Sequence, residues 1–298
     1  MQHKFQGALL ILAATFLFAI HDASSKYLIV FFAVPLIVWA RFLVNLILML
    51  VVVAPGMGRE LIVTQRPWLM IFRGLLLAGC SMLVQFAFRT LPLAETSALI
   101  FITPLLVALL AGPVLGEKVP LKSWLATVAG FAGVLLIARP GGAMFGIGVI
   151  YALGAALCYA VYQLLTRKLS ATEPAMRQLF YTALMGTLSM SLVIPMYWTG
   201  EIPTLKQAML ITSLGIYAGI GHFLLIRAFR DTQASTLSSL LYVQLVWATL
   251  LGWIIFNQLP DLLTTLGMLI VGGSSLSLAL HQPRTGRPSP AQDSPCGS

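Results

Sequence analysis

Charge is scarce in this chain: of 298 residues only 9% are Asp, Glu, Lys or Arg, where a soluble domain carries roughly a quarter. A surface wetted on all sides is thereby excluded. The nine acidic residues are scattered, so the carboxylate clusters that a metal-dependent membrane transferase needs are missing. The three cysteines, Cys80, Cys158 and Cys296, have neither zinc spacing nor a disulfide framework. Cys80 and Cys158 read as adaptable packing residues. No metal and no cofactor are expected. There is no Gly-x-x-x-x-Gly-Lys-Ser/Thr run, which argues against direct ATP drive. The net charge is +9 and the pI near 9.8, yet no basic cluster is interleaved with aromatics, so nucleic acid is not an expected partner.

What is present is apolar: 59% of residues are hydrophobic and mean hydropathy is +0.93. Ten runs stand out, at 7–28, 34–54, 68–89, 94–115, 122–138, 146–166, 177–199, 208–229, 235–256 and 261–281. A helix of about 20 residues, rising 1.5 Å per residue, crosses a hydrocarbon core of about 30 Å. The runs are apolar on nearly every face, so helices that satisfy their own backbone are expected rather than alternating barrel strands. The first run is too long for a cleaved signal peptide and ends in His21-Asp22-Ala23-Ser24-Ser25-Lys26, so it reads as a retained helix. Pro55-Gly56, Arg139-Pro140-Gly141-Gly142 and Thr199-Gly200-Glu201-Ile202-Pro203 mark loops. Pro104 and Pro195 are expected to kink the fourth and seventh helices. Gly112-x-x-x-Gly116 and Gly215-x-x-x-Gly219 allow close helix contact.

The expected fold is therefore all-α and integral to a membrane, with ten transmembrane helices. An even count puts both termini on one side. With that side cytoplasmic, Lys4, Arg59, Arg66, Lys118, Lys122, Arg167, Lys168, Arg177, Arg227, Arg230, Arg284 and Arg287 lie inside, against Lys26, Arg89, Arg139 and Lys206 outside. This is the positive-inside pattern. Residues 282–298, rich in Pro, Ser and Gly, read as a disordered cytoplasmic tail.

The chain also repeats. A shift of 141 residues lays Ala87-Phe88-Arg89 on Ala228-Phe229-Arg230, Lys26 on Arg167, Leu28 on Leu169, Ala14 on Ala155, Ala19 on Ala160 and Leu99 on Leu240. The halves divide at 1–140 and 141–281. Five helices per half is odd, so the second copy enters from the opposite side. Two inverted repeats suit a secondary transporter that exposes a central site alternately.

The stretch from Arg89-Thr-Leu-Pro-Leu-Ala-Glu-Thr-Ser-Ala through Pro104 to Gly116-Glu117-Lys118-Val119, continued by Gly130-Phe-Ala-Gly-Val-Leu-Leu-Ile-Ala-Arg-Pro-Gly141, resembles the EamA repeat of the drug/metabolite transporter superfamily. The likeness covers nearly the whole chain and is clearer in the first half, since Asn257-Gln258 replaces the Gly-Glu pair in the second. Asp22-Ala-Ser-Ser-Lys26-Tyr27, Ala40-Arg41-Phe42 and Arg73-Gly74 resemble the branch that includes riboflavin and S-adenosylmethionine carriers, beside opine-metallophore exporters. The resemblance implies ten helices in a bacterial inner membrane and a small-molecule substrate. Export is the first expectation and uptake of a riboflavin- or S-adenosylmethionine-like compound the second. An integral-membrane transferase is the rival class.

Candidate site residues follow from polarity within spans. Asp22 and Arg41 lie at matching depths, about six and seven residues from the outer ends of their helices, so a pair across helices competes with an Asp22–Lys26 i,i+4 pair. His21 is the first candidate for proton coupling, with Ser25 one turn on and His222 the second candidate. Arg73 is explained by snorkelling or, alternatively, by binding an anionic group. Under the 141 shift, Tyr159, Tyr162 and Gln163 match Phe18, His21 and Asp22. Gln85, Tyr242, Gln244 and Trp247 complete a set suited to a planar or amphipathic metabolite. The bilayer, a proton and a second copy of the chain are the remaining candidate partners.

Overall fold

The computed structural model of the protein describes residues 2–103, 105–107, 109–110, 121–139, 146–169, 172–198, 200, 202–231 and 243–281. Pro104, the Gly112–Gly116 motif, Glu117, Tyr242 and residues 282–298 lie outside them. Among the described residues there is no β-strand. Ten helices follow the apolar runs: α1 (Gln2–Leu28), α2 (Val34–Leu48), α3 (Pro67–Thr90), α4 (Leu93–Ile100), α5 (Leu121–Ala138), α6 (Ile147–Leu169), α7 (Ala175–Val193), α8 (Leu205–Asp231), α9 (Val243–Phe256) and α10 (Leu262–His281). Among the described residues, six segments are long and apolar enough to cross a membrane, those built on α1, α2, α3, α6, α7 and α8; shorter apolar segments lie at α4, α5, α9 and α10.

Two prolines act differently from the sequence expectation. Pro55 does not end its helix. The chain passes through a π-turn at Met49–Val53, one α-turn at Ala54–Met57 and a 3-10 turn at Gly58–Leu61. Proline has no N–H to give the preceding turn, and the widened turn before it accommodates the missing bond. Pro195 does not kink α7 from within. The α-helix stops at Val193 and a 3-10 turn, Ile194–Met196, contains the proline.

Asn257 ends α9 at the place where the second half has no Gly-Glu pair. It stands at φ +53 just past α9, with its N–H on Trp253 O at 2.9 Å and that of Gln258 on Gly252 O at 3.1 Å. The Asn257 bond runs from the C′ N–H to the C3 carbonyl, the αL stop, which favours Gly and tolerates Asn. Asn257→Val should lower stability by about 1–2 kcal/mol, the penalty for a branched side chain in the left-handed region, while Asn257→Gly should be neutral or better. Thermal unfolding of the purified protein in detergent reads both.

The helices pack in pairs that exchange under the repeat. α1 packs on α8 as α3 packs on α6; α2 on α8 as α3 on α7; α1 on α9 as α4 on α6. The pairs α2·α7, α4·α9 and α5·α10 map onto themselves. The close approaches repeat too. A methyl at Gly74 would strike Met185 Cβ, and one at Gly215 would strike Val44 Cβ; both partners are separated by the same 141 residues. Gly215 and Gly219 thus seat α8 on α2. The outer surface is apolar: Val30, Val51, Trp68, Leu121, Leu192, Ile254 and Leu262 are exposed. His21, Ser25, Lys26, Arg73, Gln85 and Glu95 are buried. Apolar outside and polar within is the arrangement lipid imposes.

Candidate functional site

Side chains of the first three helices and α9 meet inside the bundle. On α1, His21, Asp22 and Ser25 share one face by helical spacing. His21 Nδ1 lies 3.0 Å from Asp22 Oδ1, and Gln244 Nε2 of α9 approaches Asp22 Oδ2 at 3.4 Å. From α3, Gln85 donates through Nε2 to Ser25 Oγ at 2.9 Å. One turn earlier, Ser81 Oγ accepts from Arg41 Nη1 of α2 at 3.1 Å. The cluster is under-satisfied: His21 Nε2, Gln85 Oε1 and, on the same face of α9 as Gln244, Trp247 Nε1 are buried without a partner. In the neutral tautomer whose Nδ1–H donates to Asp22 Oδ1, the imidazole keeps a lone pair on Nε2. Aromatic side chains flank α1: Trp247 packs edge-on to Phe16 at 5.1 Å and His222 edge-on to Phe18 at 5.0 Å.

Neither ion pair expected for Asp22 forms. Arg41 turns to Ser81. Lys26 donates to Phe88 O at 3.1 Å and to Leu91 O, lying over the rings of Phe88 and Phe256. A cation on the last carbonyls of α3 satisfies groups the helix leaves open and opposes its dipole, which draws Lys26 away from Asp22.

Arg73 does not snorkel. It is 2% exposed and ties three helices together. Nε donates to Thr166 Oγ1 at 2.7 Å, Nη1 to Gln178 O at 2.9 Å and Thr182 Oγ1 at 2.7 Å, and Nη2 to Tyr162 OH at 2.6 Å. Its guanidinium carbon is 4.2 Å from the Tyr162 ring centre, and Tyr162 stacks on Tyr159 at 5.6 Å and 12°. Gln163 is half-buried on the same helix. The residue 141 beyond Arg73 is Leu214, fully buried, so the other half has no arginine at the equivalent position, although Tyr162, Thr166 and Thr182 fall on His21, Ser25 and Arg41.

At that same end the segment before α3 docks on the start of α7. Glu173 accepts from Thr64 Oγ1 at 2.6 Å, the Gln65 amide at 2.9 Å and Arg177 Nη1 at 2.6 Å. Burial works against its charge, but the bonds from Thr64, Arg177 and the Gln65 amide outweigh burial and hold the carboxyl below its ordinary range. A depressed folded value means the stabilisation is full above the unfolded glutamate range, about pH 4.3, and is lost as pH falls through the folded value. Glu173→Gln should therefore cost about 2–3 kcal/mol at pH 7 and nothing measurable in acid. Thermal unfolding against pH tests this. At the opposite end Arg139 of the α5 terminus pairs with Asp261, which also caps α10 through the Thr264 amide at 2.9 Å.

Several buried polar residues escaped the sequence reading, Glu173, Gln178 and Thr182 among them, and two more bear on the site. Glu95 of α4 is 5% exposed, with Oε2 unpartnered, in the field of Asp261, Arg139 and Lys26. An acid one turn into an apolar helix was the available signal. Ser81 carried none, since its role depends on Arg41 of another helix. Of the sequence candidates, His21, Asp22, Ser25, Gln85 and Gln244 come together with Arg41 alongside. Arg73 and Tyr162 form a separate cluster.

Comparison with known proteins finds the EamA-like transporter family twice, over residues 5–139 and 146–280. The S-adenosylmethionine uptake transporter of Rickettsia prowazekii is 27% identical over 267 residues, 90% of each chain. The riboflavin transporter of Vibrio cholerae is 26% identical over 276 residues, covering 90% of this chain and 91% of the relative. The pseudopaline exporter of Pseudomonas aeruginosa is 25% identical, covering 92% and 95%. One crystal structure aligns with a TM-score of 0.65 at 20% identity, over 92% of this chain and 96% of that one; it bears on the fold alone.

Proposed function

The chain belongs to the EamA-like transporter family and is a multi-pass inner-membrane protein, and from that premise we propose that it is a secondary transporter moving a small metabolite by alternating access. The observation that carries this is the under-satisfied polar cluster built from both halves, with Asp22, Ser25, Arg41 and Gln85 from one and Gln244 from the other. A site shared between two related halves is what rocking of one against the other exposes to each side in turn. The family and its relatives point to a transporter rather than an enzyme.

The finer reading is ten crossings in two inverted repeats, 1–140 and 141–281, followed by a cytoplasmic tail at 282–298. The Glu173 end faces the cytoplasm, as the basic residues require. His21, oriented by Asp22, carries the coupling proton on Nε2. Export is our first reading of direction, from the superfamily resemblance, and an opine-type metallophore is among the cargoes it admits. Uptake is the second reading, favoured by the S-adenosylmethionine and riboflavin relatives.

Purified protein in liposomes under an imposed pH gradient tests the proposal. Labelled flavins, S-adenosylmethionine, amino acids and opine-type chelators are followed in both directions. Saturable flux that follows the gradient is the expected result. Flux indifferent to the gradient would remove proton coupling, and none at all from a monodisperse sample would remove the transporter reading.

A further inference from the structure

We propose that residues 49–66 form a hinged strap whose undocking from α7 and the release of Arg73 from the same helix are one event. The coupling goes beyond the transporter reading: it belongs to the empty fold and is measured without cargo.

The strap has a hinge at its start. Past Leu48 the hydrogen-bond pattern changes three times, to a π-turn at Met49–Val53, an α-turn at Ala54–Met57 and a 3-10 turn at Gly58–Leu61, so no single ladder stiffens it. Pro55 has no N–H to give, and Gly58 stands at φ +52 and ψ −129, a conformation that side chains resist. Such positions absorb the dihedral changes of a hinge motion. Beyond the hinge, α7 holds the strap. Glu173 accepts from Thr64 and the Gln65 amide, Arg177 Nε donates to Glu60 O at 2.6 Å and Tyr181 OH to Ile62 O at 2.7 Å. Leu61, 1% exposed, packs with Met49 and Phe180 in a small apolar cluster of its own. Under the repeat the three holding residues fall on Phe32, Leu36 and Ala40, so none of them recurs in the first half.

Two features tie this dock to the arginine. Gln178 Nε2 donates to the Glu173 main-chain oxygen at 3.1 Å, while Gln178 O accepts from Arg73 Nη1 at 2.9 Å. One stretch of α7 thus carries both the strap and the latch. The strap also leads directly into α3 at Pro67, so it shares one short length of chain with Arg73. There α3 lies close on α7: a methyl at Gly74 would come within 2.7 Å of Met185 Cβ. A rigid α3 cannot swing away from α7 without breaking both grips, and the strap cannot lift without drawing on the helix it leads into. A two-state element biased from both places is what coupling requires.

Labelling of buried positions by a water-soluble maleimide tests this in purified protein freed of its native cysteines. Leu61→Cys reports the strap, Ala183→Cys the α7 turn beside Thr182, and Ala98→Cys a position in α4; all three residues are buried. Arg73→Met should raise the rate at Leu61→Cys roughly tenfold or more, and Glu173→Gln should do the same at Ala183→Cys, the effect of losing one charge-assisted hydrogen bond. Ala98→Cys should keep its rate. If either substitution opens only its own neighbourhood, the two grips are independent and the coupling is overturned. A rise at Ala98→Cys as well marks general loosening, and Tyr181→Phe, which removes one bond to Ile62 O, then decides. It should raise the rates at Leu61→Cys and Ala183→Cys by one common factor, about threefold, with Ala98→Cys unchanged. Any other pattern in that variant overturns the coupling.

Discussion

Asp22→Asn should reduce gradient-driven flux roughly 10- to 100-fold, the equivalent of one charge-assisted hydrogen bond of about 1.5–3 kcal/mol, while leaving the fold intact. The substitution keeps size and shape, so the α1·α9 contact through Gln244 survives. What changes is chemistry at His21, 3.0 Å away. An amide presents either an oxygen, without the charge that holds the Nδ1–H tautomer, or an NH2 that opposes it. In the second case the proton moves to Nε2, and the buried lone pair there, proposed to accept the coupling proton, is lost. The measurement is initial uptake rate beside thermal unfolding of the same preparation. Unchanged flux in a folded Asp22→Asn protein would return Asp22 to a structural role.

Arg73→Met is expected to lower stability by about 2–4 kcal/mol, mostly by leaving buried acceptors on two helices, α6 and α7, without their donor. Thr166 and Thr182 keep bonds to Tyr162 O and Gln178 O at 2.7 and 2.8 Å, so the heaviest loss falls on Tyr162 OH and on the second bond to Gln178 O. Removing a buried charge returns some free energy, which sets the upper bound. Arg73→Lys should recover little, because a point charge cannot span four acceptors or stack on the Tyr162 ring. Unfolding in detergent reads the stability. Cysteine labelling at a residue introduced beside Thr182 reads the opening of that end, which should rise in both variants. A fully stable Arg73→Met protein with unchanged labelling would remove the latch.

Much of the architecture was legible in the sequence because lipid demands long uninterrupted apolar runs, and all ten correspond to helices where the chain is described. The proline positions were legible, but their effect was not. Whether Pro55 stops a helix or rides on a π-turn depends on how the preceding turn relaxes, and residue identity does not carry that. On the site, the α1 face of His21, Asp22 and Ser25 could be read from helical spacing alone. Lys26 could not, since its partners are carbonyls 62 and 65 residues away and carbonyls have no sequence signature. Arg73 misled for the same reason: near a helix start it looks solvated until α6 and α7 are in place around it.

The Arg73 latch has a thermodynamic consequence. In a device with two equal halves, the inward- and outward-facing forms would be mirror images of equal energy. Here the arginine that makes four hydrogen bonds on one side has Leu214 as its image on the other. On the proposed alternating-access reading, the empty carrier idles preferentially in one orientation, set by the chain before any cargo arrives. Cargo reverses that preference only through a difference in affinity between the two forms, about 1.4 kcal/mol for each tenfold of resting bias. Direction of net flow then belongs to the gradients, and the turnaround rate to the side on which the carrier waits.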